Sequence, residues 1–224
     1  MIGLSSWVIA DGNYPHFKRG QRASFALTFY APDPLSLPSD TLSMDPPAVD
    51  RPSMQHLEGP EYLVTAKVTH VVEHDGWWVI DAGIPMYRAG LPSNNIKAGN
   101  WVRGQINVSI DPFDYFERFS RYHAAPALIF EWHVKSIQIE TTPIIESGRM
   151  RTRDKSRRAW REVADTTARS GGFEEFVLHC ERRMPDHVVD IGATPRLVPR
   201  RGATIDWWIE CRCNGSQTRY AEGA

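Results

Sequence analysis

The stretch Tyr62–Ala82, YLVTAKVTHVVEHDGWWVIDA, decides how this chain folds. Tyr62, Val64, Ala66, Val68, His70 and Val72 alternate with Leu63, Thr65, Lys67, Thr69, Val71 and Glu73, the two-residue period of a strand with one buried face. Asp75-Gly76 then heads a second apolar run, Trp77 to Ala82, and an Asp-Gly pair supplies the positive φ values of a tight hairpin turn. The stretch predicts an antiparallel hairpin.

Toward the C-terminus, a Gly-, Pro- and Asn-containing loop leads to a third strand. In it Val102, Gly104, Ile106, Val108 and Ile110 point inward, and Trp101, Arg103, Gln105, Asn107 and Ser109 outward. Asp111-Pro112 ends that strand and predicts a helix start, because Asp accepts from free backbone N–H groups and Pro fits the first turn. Tyr115, Phe116, Phe119 and Tyr122 share one face of that helix. Strand resumes over Ala127 to Ile145, where a parity switch at Lys135-Ser136 predicts a bulge or bend. Two hairpin strands, a third strand, a short helix and further strand is the element order of an OB-type barrel, an order that other small barrels share.

The expected class is mainly β with short helices: a small antiparallel OB-like β-barrel with a basic helix and extra C-terminal strands. Residues 1–30 supply N-terminal strands, Trp7–Ala10 and Arg22–Tyr30, packing on the core. Residues 31–60 hold seven prolines, which remove backbone donors and predict a long loop or linker. Residues 61–145 form the barrel core. Over 146–224, Arg149, Arg151, Arg153, Lys155, Arg157, Arg158 and Arg161 merge into a helix striped by Ala159, Trp160, Val163 and Ala164. Strands Phe173–Glu181 and Thr204–Cys213 follow as a hairpin extension.

The chain has 224 residues and 42% hydrophobic content, ample for a buried core, and a net charge of -1. Such a balance argues against a surface built wholly for nucleic acid or anionic membrane. The charge is uneven: residues 1–148 hold 11 Lys/Arg against 16 Asp/Glu, and residues 149–224 hold 15 against 11. The two parts are expected to face different partners. The start, Met1-Ile2-Gly3-Leu4, lacks the pattern of a secretory signal, and no run of apolar residues is long enough for a membrane span. Three cysteines fit a reducing compartment, so the expected location is cytoplasmic, without membrane partners.

Cys211-x-Cys213 with Cys180 is the one cluster with metal-ligand character, but tetrahedral zinc prefers two to four residues between paired cysteines. All three also fit buried positions of strands, the reading preferred here, so neither a metal nor any other cofactor is expected. His70 reads as a core histidine, and Asp111, Asp114 and Glu117 as helix-start carboxylates. GxxxxGK[ST], GxGxxG and GxSxG patterns are missing, leaving phosphate cradles, dinucleotide sites and a hydrolase elbow without support.

The leading expectation is a binding or interaction protein with an unknown protein partner. The first alternative is a nucleic-acid-binding module, in which Arg149, Arg151, Arg153, Arg157 and Arg158 meet phosphates while Trp77 and Trp101, beside Arg103, stack on bases. The second alternative is an enzyme with a pocket near His70, Asp81 and the helix at Asp111.

Overall fold

A computed structural model describes residues 1–32, 42–44, 51–92, 95–122, 124–147, 150–168, 174–183, 196–197 and 209–210. Two compact units divide the chain, Met1–Arg183 and Met184–Ala224. The strands of the first unit begin with β1 (Ile2–Ser5), β2 (Arg22–Phe25), β3 (Leu27–Tyr30), β4 (Leu42–Ser43), β5 (Ser53–His56), β6 (Glu61–Val72) and β7 (Trp77–Asp81). They continue with β8 (Pro85–Ala89), β9 (Trp101–Ile110), β10 (Phe130–Glu140), β11 (Ile144–Ser147), β12 (Met150–Arg153), β13 (Trp160–Val163) and β14 (Glu175–Arg182). Helix α1 spans Ser6–Ala10, α2 spans Asp114–Glu117, and 3-10 turns lie at Phe119–Arg121 and Lys155–Arg157. In the second unit β15 (Arg196–Leu197) pairs antiparallel with β16 (Ile209–Glu210).

The hairpin expected from Tyr62–Ala82 is β6–β7, and Gly76 takes the positive φ of 63° that its turn requires. From it grows a closed barrel of five strands. β6 pairs with β7, β7 with β8, β8 with β3, β3 with β9, and β9 returns to β6. The β3–β8 contact is parallel and the other four are antiparallel, so the barrel is mixed. Val64, Ala66, Val68, Trp78, Ile80, Met86, Val102, Ile106, Val108 and Phe29 fill its core. Closure leaves these strands few free edges, which is how small barrels avoid edge-to-edge pairing.

β6 carries a bulge between Val68 and His70. The extra residue reverses the facing of everything after it, so Val71 packs toward the barrel core while His70 lies opposite Val79. Strict alternation from Tyr62 to Val72, which put His70 on the inner face, is corrected at this point.

A second circuit of pairings uses the other strands. β10 pairs with β14, β14 with β1, and β1 meets β9 in parallel at Gly3 and Ser109. β9 pairs with β3, and β2, one residue before β3, returns to β10. Phe25, Trp132, Val134, Ile137, Ile139, Phe176 and Leu178 continue the same apolar core here. The bulge expected at Lys135-Ser136 is present as a register shift between Val134 and Ser136.

Several expectations are corrected. Trp7–Ala10 lies in α1 and not in a strand, and the N-terminal strand precedes it as β1. Between the hairpin and β9 an unexpected strand, β8, takes the place of part of the loop, so Trp101–Ile110 is the fourth strand in sequence from β6. The basic helix is not formed: residues 150–163 make β12, a 3-10 turn and β13. Trp160 and Val163, read as a helical stripe, instead pair with Glu140 and Ile137 of β10. Their spacing of three suits one face of a helix and puts them on opposite faces of a strand, and the free edge of β10 selects the strand. Thr204–Cys213 lies outside the described residues except at Ile209–Glu210.

Candidate functional site

Two faces of the barrel, one closed and one open, divide the candidate residues. The outer face of β7 and β8 carries Trp77, Val79 and Tyr87, and the segment after β9 folds back over it. Phe119 stacks on Trp77 with ring centroids 4.9 Å apart and meets Tyr87 edge-on at 5.4 Å. Tyr115, Phe119 and Leu128 become almost wholly buried there. At about 2 kcal/mol for each of these three side chains, opening this cover costs on the order of 6 kcal/mol. Trp77, at 1% exposure, is therefore part of the scaffold and cannot stack on an incoming base.

Asp111 fastens the cover. Its Oδ1 accepts hydrogen bonds from the Tyr87 hydroxyl and from the Tyr115 backbone N–H at 3.3 Å, joining β8 to α2. The expected helix-start role is thus kept, although the residue directly before α2 is Phe113, whose φ of 82° is left-handed. Burial pushes the Asp111 carboxyl up to about 6, against the lowering effect of these hydrogen bonds. Tyr14, Tyr30, Tyr87 and Tyr115 all sense its charge, and burial raises each of them above the usual phenol value. Only 1% of Asp111 is exposed, so this carboxylate has no access to a substrate.

The basic run is dispersed. Arg153 Nε lies 3.2 Å from Glu140, and Arg158 NH1 lies 2.7 Å from Glu61. Arg158 also lies over the Trp160 ring, 5.5 Å from its centroid. Glu140 is 7% exposed and accepts a further bond from Thr142 Oγ1 at 2.8 Å. These two arginines hold the β5–β6 turn, β10 and the β12–β13 connection together. Arg151 is placed on β12 opposite Glu146, Arg157 is exposed at the end of a 3-10 turn, and Arg149 lies outside the described residues.

On the outer face of the second circuit charges also find partners. Lys135 meets Glu181 at 2.8 Å and Arg183 meets Glu131 at 3.7 Å. Arg182 lies 4.0 Å from the Phe130 ring centroid.

The face of β5, β6 and β9 that points away from the barrel core differs. Register sets Lys67 opposite Trp101, Thr65 opposite Arg103, Leu63 opposite Gln105 and Glu61 opposite Asn107. β5 adds Ser53 beside Thr65 and Gln55 beside Leu63, and β4 adds Ser43 beside Arg103. Lys67, Arg103 and Gln105 are exposed and Trp101 is half-buried. Among the described residues neither Lys67 nor Arg103 has an ion-pair partner. Of the residues singled out from sequence, Arg153 and Arg158 meet at Glu140, whereas Trp101 and Arg103 share the open face. Lys67 and Gln105 join them through a register between β6 and β9 that the sequence alone does not reveal.

The remaining candidates stand apart. Burial pushes the Cys180 thiol up to about 12, which makes it a poor metal ligand or nucleophile. Cys211 and Cys213 lie outside the described residues. No group of three or more His, Cys, Asp or Glu among the described residues has the arrangement to hold a metal ion. Asp81 Oδ1 accepts from the Gly83 N–H at 2.8 Å, and desolvation lowers the His70 pKa. A small cavity of about 120 Å³ at α1 is lined by Ser6, Ile9, Ala10, His16 and Thr166, and none of His70, Asp81 and Asp111 lines it. No helix among the described residues is long and apolar enough to cross a membrane. Compared with protein-family models, with curated proteins and with solved structures, the chain shows no match.

Proposed function

We propose that this chain is a non-catalytic binding module, an OB-like barrel that takes nucleic acid on the open face of β5, β6 and β9. The observation that carries the reading is Lys67, Trp101 and Arg103 on one solvent-facing sheet, with both cations unpaired among the described residues. Arg153, Arg158, Lys135 and Arg183 meet carboxylates, and what sets Lys67 and Arg103 apart from other cations unpaired among the described residues, such as Lys97 and Arg161, is their place beside Trp101. An aromatic face flanked by cations is what a base with its phosphates requires.

The OB-like reading is supported by the order β6-β7-β8-β3-β9 with its parallel β8–β3 closure. We read this order as an OB connectivity with the final strand moved to the front of the chain, although the helix follows the fourth barrel strand from β6 and not the third. The face of an OB barrel that usually binds oligonucleotides, on its second and third strands, corresponds here to β7 and β8. Trp77 and Tyr87 hold that face closed under Phe119 and Tyr115, which leaves β6 and β9 as the available surface.

A protein partner is the second reading. The exposed large apolar residues Trp7, Met44, Leu57, Leu91 and Tyr122 come from separate segments and only Ile144 and Ile145 are neighbours, on β11, which favours nucleic acid over one broad apolar interface. The test is titration of the protein with labelled oligothymidylate. Trp101→Ala and Arg103→Glu should each weaken binding at least tenfold, while Lys135→Ala, on the charge-paired face, should leave it unchanged. Equal binding by all three variants would remove the proposal.

A further inference from the structure

Resting on the nucleic-acid reading, we infer that the ligand is a short, unstacked single strand lying along β9, with a footprint of about three nucleotides. Residues of one face repeat every second position, roughly 6.8 Å apart along a strand. Trp101, Arg103, Gln105 and Asn107 follow one another at that interval on β9. It is about twice the 3.4 Å rise between stacked nucleotides, so the side chains match an extended strand and not one strand of a duplex. A lone aromatic platform has the same requirement, because only an unstacked base offers a free face to Trp101.

The ends of the face set the length. The row at Lys67 and Trp101 continues to Asp81 on β7, and the row at Asn107 continues to Glu61 on β6. Asp81 repels phosphate at one end, while at the other Glu61 is held by Arg158 and Asn107 is half-buried, so the strand is limited to the three positions Trp101, Arg103 and Gln105, which span roughly 14 Å. Within that span Lys67 and Arg103 are the two cations, so two phosphates are neutralised. Thr65, Gln105 and Gln55 offer hydroxyl and amide groups to base edges along the same path.

Neutralising two phosphates of a single strand gives a salt slope of about −1.4 in log K against log salt, about a sevenfold loss from 50 to 200 mM. The experiment is a two-dimensional NMR titration of the full chain, following the Trp101 indole N–H with dT3, dT6, dT12 and a 12-base-pair duplex. The expected result is a per-site affinity for dT3 within about threefold of dT12, the shallow salt slope, and no response to duplex. Affinity that climbs more than tenfold from dT3 to dT12, a slope beyond −4, or equal response to duplex overturns this inference while leaving nucleic-acid binding intact. No response to any oligonucleotide overturns both. Arg103→Gln should reduce the slope by about half, and an unchanged slope in that variant also counts against the two-phosphate site.

Discussion

Changing pH should alter the stability of this fold through Asp111 in a direction opposite to that of an ordinary ion-paired carboxylate. The side chain is 1% exposed, and its burial raises the carboxyl from 3.8 to about 6. The native state therefore binds a proton more tightly than the unfolded chain between those two values. Stability from this group is fully present below about pH 4 and is lost as pH rises through 6. A difference of about two units corresponds to on the order of 3 kcal/mol. Burial of Glu175 acts in the same direction, whereas hydrogen bonds to Asp165 and Glu181 lower theirs, so the wild-type curve alone mixes several groups. Asp111→Asn isolates the contribution, since its side-chain oxygen still accepts from Tyr87 and Tyr115. Urea unfolding of both proteins at pH 4, 5, 6 and 7 should show the wild type losing about 3 kcal/mol relative to the variant across that range. A difference that is flat, or that favours the wild type as pH rises, would refute the assignment of a buried, proton-retaining Asp111.

Two further perturbations test the closed face and the arginine joint. Phe119→Ala removes the ring stacked on Trp77 and should destabilise the protein by about 3–5 kcal/mol, read as a lower urea midpoint; a loss under 1 kcal/mol would show that the cover is loosely held. Gly59 has a φ of +54°, and a Cβ there would sit 2.8 Å from Trp160 Cζ2. Gly59→Ala should therefore cost about 1–3 kcal/mol and shift Trp160 fluorescence, and a neutral substitution would place Trp160 elsewhere.

Much of the barrel was legible because its signals are local. Alternation in Tyr62–Val68, the Asp75-Gly76 turn and the outward set on β9 each depend on neighbours in sequence, and each recurs in the structure. The covered face was also written there: Trp77, Trp78, Val79 and Ile80 form a continuous apolar run, the mark of a strand buried on both sides. β8 was hidden because its five residues sit between Gly83 and Gly90 and begin with Pro85, all turn signals in isolation. The basic run misled for a different reason. Period-3 spacing at Trp160 and Val163 suits a helix, whereas β10 had an open edge whose presence only the tertiary fold reveals.

The open face was partly legible. Trp101 and Arg103 share a parity that any strand reading finds, but their pairing with Lys67 and Thr65 depends on closure between β6 and β9, more than thirty residues apart. The fates of Arg153 and Arg158 likewise depend on Glu140 and Glu61, distant in sequence and adjacent only in the fold. Long-range register is therefore the step that turns a list of cations and aromatics into one candidate surface.

Photocrosslinking addresses the central claim most directly. A dT6 strand carrying one 5-iododeoxyuridine would be irradiated with the full chain, and the attachment point found by peptide mass spectrometry. Attachment at Trp101 on β9 is the predicted result. Attachment confined to Phe130, Trp160 or the β11–β12 hairpin, or no attachment above that of a denatured control, would contradict a binding face on β5, β6 and β9.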